Sequence, residues 1–236
     1  MLSLSKQNSP SDRQGRADRE RFERRRRALD AIWGLNKQFL TVLCARAHSP
    51  GPFPFASDLR ARFSTLTEAD QDHLSRFGIC LMDAGFRDAA RWRYLSEHEP
   101  SYPGSPELFA SPSNASWLQG NEGALLSQAL YLLAWSLLQW DTNEARVLLG
   151  MTHETAQILS KIGVDRLVYV GHRCSHWIVP RWSELARAWD DLLSCGVAKD
   201  KFRGGAYGSS YGTLRMLTLY GGHLPALTNY LRLVSS

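Results

Sequence analysis

The stretch "GHRCSHW", residues 171–177, sets His172, Cys174 and His176 at alternate positions. In an extended segment the three would share one face, and imidazole and thiolate are preferred zinc ligands. Cys195 or His223 would have to complete such a site. H-x-C-x-H is not the spacing of a structural zinc site, and a strand sets these side chains rather far apart. Ordinary, partly buried polar residues are the plainer reading, and no metal or other cofactor is expected. Cys174 between two imidazoles also suggests a thiol nucleophile, but no flanking glycine motif or oxyanion element accompanies it. There is no GxxxxGK[ST] loop and no GxGxxG turn. The sequence reads as that of a non-enzyme.

The cationic clusters carry a different chemistry. "RFERRRRAL" (21–29) brings Arg21, Arg24, Arg25, Arg26 and Arg27 together. From one helix they can meet phosphates, or they can simply balance Glu20, Glu23 and Asp30. The formal net charge is +5, and residues 1–30 hold nine Lys/Arg against five Asp/Glu. The rest of the chain is therefore close to neutral. A basic arm of this kind suits nucleic acid or an acidic partner, and equally a solvated helix start. "KDKFRGGAYGSSYGTLR" (199–215) interleaves Lys199, Lys201 and Arg203 with Phe202, Tyr207 and Tyr211. That pattern suits contact with a nucleic-acid backbone, or a mobile connection between helices.

Helices must position these groups. Of the 236 residues, 44% are hydrophobic and eight are Trp, enough for one large core or two small ones. The spacing predicts a disordered tail over 1–12 and an N-terminal helical domain over 13–97. In that domain a long helix covers 13–47, and apolar residues at 29, 32, 35, 39, 42 and 43 form its buried stripe. Thr67 caps a helix over 66–78, residues 79–86 are extended or a buried turn, and 88–96 is a short helix. The Pro- and Ser-rich stretch within 98–120 reads as a linker. A second helical domain follows over 121–236. Its helices are expected at 121–140 (capped by Asn121), 143–149 (capped by Asp141 or Thr142), 153–162 (capped by Thr152) and 164–173. Residues 174–180 read as extended, and 181–196 as an amphipathic helix stopped by Gly196.

Four cysteines without a CxxC pair, a polar N-terminus and no apolar run long enough for a bilayer together predict a cytoplasmic protein. "EARVLLGMTHETAQILSKIG" (144–163) passes a crude test for a helix-turn-helix. Its second helix would expose His153, Glu154, Gln157, Ser160 and Lys161, with no arginine to read guanine. A small residue is wanted four positions before Gly150, where Arg146 stands beside Ala145.

A succession of segments covers more of the chain: "YLLAWSLL", then Leu149–Gly150, then Met151, Thr152, Glu154 and Ala156. Ile162, Leu167, Val168 and Val170 follow, and Arg181–Trp182 closes the series. Over residues 125–182 this succession resembles the FlhD-like subunits of the FlhDC family of transcriptional activators. The resemblance implies an all-helical subunit that dimerises through intertwined helices. It implies an FlhC-like partner in a hetero-oligomer that binds promoter DNA, with RNA polymerase as a further partner and no membrane. Such activators also occur on mobile elements. Assembly contacts then fall on Leu132, Trp135, Leu138, Leu149, Met151 and Leu159. The runner-up is a helical adaptor, a homo- or hetero-oligomer without DNA affinity. Residues 66–92 echo 162–189, each preceded by an apolar helix, which predicts two related FlhD-like subdomains packed as a pseudo-dimer within a mainly α chain.

Overall fold

The computed structural model describes residues 10–98, 117, 118 and 120–197, and helices dominate them. Helix α1 (Pro10–His48) begins ahead of the expected start at 13. Its highly charged first half is exposed, and from Ala28 onward it buries Ile32, Leu35, Phe39, Leu40 and Leu43. Two short helices return along it, α2 (Ser57–Ser64) and α3 (Glu68–Ser75). Thr67 starts α3 with a reciprocal capping box to Asp70, so two otherwise orphaned backbone N–H groups are satisfied. Strand β1 (Met82–Asp83) leads to α4 (Ala89–Glu97), capped by Asp88.

The second group opens with α5 (Asn121–Trp140). The expected cap at Asn121 is not formed: Gly120 holds the N-cap position, and no side chain bonds there. Asp141 ends α5 and starts α6 (Thr142–Leu149), accepting from the backbone N–H groups of Asn143 and Glu144. Gly150 closes α6 in the left-handed conformation. Thr152 caps α7 (His153–Leu159), which stops short of the expected 162. Helix α8 (Val164–Arg173) follows as expected. The segment expected to be extended over 174–180 is extended only at its end. A 3-10 turn occupies Ser175–Trp177, and only β2 (Val179–Pro180) is extended. The last helix, α9 (Ala186–Val197), starts later than expected because residues 181–184 form turns. Gly196 lies inside α9 and does not stop it.

One hydrophobic cluster runs through both groups of helices. Within the segment read as a linker, Trp117 and Leu118 are buried in that cluster, and Trp117 meets Phe39 edge-on at 5.9 Å. Strands β1 and β2 pair antiparallel, Met82 opposite Pro180 and Asp83 opposite Val179. This register relates Met82 to Val179 and Asp83 to Pro180 by a local two-fold. The same sequence offset carries the start of α4 onto the start of α9, and α2 and α3 nearly onto α7 and α8. It also carries Trp92 onto Trp189, both fully buried, and Leu95 onto Leu192. Gly85 falls on Trp182, and both have positive φ, 73° and 59°. The helix after each strand crosses to the other half, α4 onto α7 and α9 onto α2 and α3. The expected internal repeat is matched by these elements alone, since α6 has no counterpart in the first half, and α4 and α9 each pack against the other half.

Candidate nucleic-acid interface

The first turns of α1 project beyond the core. Residues 14–24 are exposed on every side, including Phe22 at 70%. Of the five arginines singled out by sequence, Arg21, Arg24, Arg26 and Arg27 are exposed. Arg21 stands 3.8 Å from Asp141, Arg24 pairs with Glu20 at 3.8 Å, and Arg27 pairs with Glu23 at 3.7 Å. Pairs this exposed are worth a few tenths of a kcal/mol and yield readily to a phosphate. Arg25 differs. It reaches Glu144 on α6 at 3.4 Å, with both side chains about four-fifths covered. Burial pushes the Glu144 carboxyl above the ordinary carboxylate range, and the Arg25 guanidinium offsets this only in part. Arg25 therefore ties the arm to the body, and the other four arginines are presented to solvent. Lys199, Lys201 and Arg203 lie outside the described residues.

The helix-turn-helix candidate is real as local structure. Helices α6 and α7 pack together about Gly150, and Ala145 and Leu149 are buried at their contact with the core. Helix α7 and the turn after it carry the expected residues: His153, Glu154 and Gln157 on the helix and Lys161 on the turn are exposed, and Ser160 is partly covered. The exposed face of α7 is not free along its length, because Arg93 of α4 forms an ion pair with Glu154. Beside it α4, α7 and α8 enclose an open groove of about 440 Å³. Arg93, Lys161 and Arg166 line this groove with Glu154, over the partly and fully buried Ile158 and Ile162. Arg93 and Arg166 carried no signal in the sequence, since they stand more than seventy positions apart, one between Trp92 and Tyr94 and the other between Asp165 and Leu167.

Most residues proposed for subunit assembly are core. Leu138, Leu149, Met151 and Leu159 are at most 5% exposed and belong to the hydrophobic cluster. Trp135 packs against that cluster and is partly buried. Only Leu132 is exposed, on the same helix as the more exposed Leu125. Apolar periodicity identifies a buried face without saying whether the same chain or another one covers it.

Leu149–Gly150 and Arg181–Trp182, far apart in the sequence, meet in space. The Arg181 guanidinium is buried against the turn at Gly150, and its Nη1 donates to the carbonyls of Leu148 (3.4 Å) and Cys80 (3.3 Å). It lies over the Trp182 ring at 5.0 Å. Burial pushes Arg181 down to about 10, so it remains a cation at neutral pH.

His172, Cys174 and His176 do not share a face. His172 is on the exposed side of α8, Cys174 is fully buried beyond its end, and His176 sits in the 3-10 turn. Among the described residues no three His, Cys, Asp or Glu side chains come together as a metal site. Burial pushes the Cys174 thiol up to about 12, away from nucleophilic thiolate chemistry. Among the described residues no helix is long and apolar enough to cross a membrane.

Compared with family models, curated proteins and solved structures, the chain finds no match in any of the three. The fold itself defines a mainly α-helical protein.

Proposed function

We propose that this chain is an FlhD-like regulatory subunit that contacts DNA within a larger complex. The observation that supports the reading is the first half of α1, a helix clear of the core presenting Arg21, Arg24, Arg26 and Arg27 to solvent. Four exposed guanidinium groups on a projecting helix make phosphate contacts of the kind that position a protein on a duplex without reading its sequence. Base readout then falls to an FlhC-like partner, because α7 presents no arginine and its Glu154 is engaged by Arg93.

The test is binding of the full chain to a random-sequence duplex at low and moderate salt. Replacing Arg24, Arg26 and Arg27 by Ala should weaken binding almost equally on all sequences. The salt dependence should flatten by about one unit of slope per lost contact. An unchanged slope in that variant would remove the reading.

A second reading rests on the surface of α5. This helix carries one charged residue, Glu122, and leaves Leu125 and Leu132 exposed. A helix face without charges suits a protein–protein adaptor. Loss of DNA binding at every salt, with retention of a protein partner, would favour it.

A further inference from the structure

The internal repeat offers a control within the molecule. The groove between α4, α7 and α8 has a counterpart, by the same offset, at α9, α2 and α3. There Asp190 stands in the place of Arg93, Ser64 in that of Lys161, and Ala69 in that of Arg166. That counterpart is sealed: Arg62 bridges to Asp190 at 2.7 Å and to Ser194 at 3.1 Å, and Leu193 is buried. The fold alone therefore does not dictate a cationic groove at this position. One half has three cations, and the other has none at the equivalent places.

The three cations are held in different ways. Arg166 is fixed: it donates to the carbonyls of Ser96 and His98 at the end of α4, while its Nε is buried with no hydrogen-bond partner. Arg93 is half exposed and shares its charge with Glu154. Lys161 is exposed, and no carboxylate among the described residues pairs with it. The side chains lining the groove thus sum to an excess of positive charge, over an apolar floor. Gly163 also brings the start of α8 to the groove wall, with no side chain capping that helix.

We infer that the α4–α7–α8 groove is a binding site for a phosphoryl oxyanion. Lys161 supplies the free charge and Arg166 the fixed wall. Arg93 turns from Glu154 toward the ligand or stays to balance it. A phosphate group, with its higher charge, matches this excess of positive charge better than a carboxylate does. The anion has two sources, a nucleic-acid phosphodiester, which rests on the reading above, or a free phosphorylated small molecule, which does not.

The probes are pyrophosphate and a random-sequence duplex, each titrated against the full chain. The variants are Lys161→Glu, Lys161→Arg and the arm variant with Arg24, Arg26 and Arg27 replaced by Ala. Lys161 is exposed, so its variants should unfold at the same temperature as the parent when no probe is present. Weaker binding of pyrophosphate and duplex in Lys161→Glu, restored in Lys161→Arg, supports a groove that holds phosphodiester. Weaker pyrophosphate binding alone supports a groove for a small molecule. That outcome also holds if no duplex binds, in which case the DNA reading falls and the groove stands. Lys161→Glu binding both probes like the parent, or a parent that binds neither, overturns the groove. A loss of duplex binding confined to the arm variant would then leave the DNA reading intact.

Discussion

Arg181 fills the space that a side chain at Gly150 would need. A Cβ built on Gly150 would lie 2.6 Å from Nη2 and 2.7 Å from Cζ of that guanidinium. Gly150 also has φ of 74°, which L side chains rarely adopt. The glycine is therefore required twice, once to end α6 and once to admit an arginine from the other side of the joint. Gly150→Ala should cost about 2–4 kcal/mol in urea unfolding, more than the roughly 1 kcal/mol of the backbone term alone. Gly150→Asn separates the two causes. Asn tolerates the left-handed region, so a cost close to that of Ala assigns the loss to the displaced guanidinium.

The arginine should be as sensitive as the glycine. Arg181→Ala removes the donor that serves Leu148 and Cys80 and leaves a cavity at the joint of β2 and α6. A loss of about 3 kcal/mol is expected. Arg181→Lys should rescue little, because an ammonium that reaches the carbonyls of Leu148 and Cys80 leaves no planar cation over Trp182 and does not fill the space at Gly150. The measurement is the urea midpoint at constant slope.

The repeat predicts how the chain unfolds. Trp92 donates to the carbonyl of Gly85 at 2.9 Å, and Trp189 donates to that of Arg181 at 2.7 Å. The two indoles anchor the exchanged helices α4 and α9, so neither half can open without uncovering the other. Trp92→Phe and Trp189→Phe should each lower the midpoint of one shared transition, by about 1–2 kcal/mol of stability. Two separate transitions, each sensitive to one tryptophan, would contradict the shared core.

What the sequence made legible is what depends on neighbours along the chain. The caps at Thr67, Asp141 and Thr152, the stop at Gly150 and the buried stripe of α1 follow from local hydrogen bonding and periodicity. Trp182 at φ of 59° was not legible, since an aromatic residue carries no signal for that conformation. Its repeat partner, Gly85, does carry one, but only the strand register reveals the pairing. The start of α9 was misplaced for the same reason. At the candidate site, the arm of α1 was legible as a run of arginines. The groove was not, because Arg93 on α4, Lys161 on the turn after α7 and Arg166 on α8 converge only in space. Leu138 and Leu149 were read as interface because an apolar face looks the same whichever chain covers it.

The tie between arm and body gives a pH-dependent prediction. Glu144 is raised by burial, so the folded state binds its proton more tightly than the unfolded chain does. Its contribution to stability is therefore lost as pH rises through the carboxylate range, the reverse of an ordinary salt-bridged acid. Arg25→Ala deepens this loss by leaving the carboxylate without its cation, at about 1–2 kcal/mol near neutral pH. Glu144→Gln in the Arg25→Ala background should recover most of it and should flatten the dependence between about pH 4 and 7. Stability profiles of the single and double variants check this directly. A steeper loss toward acid in the parent than in Glu144→Gln would contradict it.

The buried thiols supply the last prediction. Cys44, Cys80 and Cys174 are free and buried, and burial raises Cys44 and Cys80 to about 11 and Cys174 to about 12. Only the thiolate attacks a disulfide reagent, and at pH 8 its population at these sites is about a thousandth or less. With Cys195 replaced by Ser, so that only these three thiols report, an aromatic disulfide reagent should release almost no thiolate dye from the folded chain. All three should react once urea passes the unfolding midpoint. Their reaction rate below the midpoint should track the opening of the core, so Trp92→Phe should speed all three together. Fast reaction of Cys174 alone in the folded chain would revive the thiol chemistry that its place between His172 and His176 first suggested.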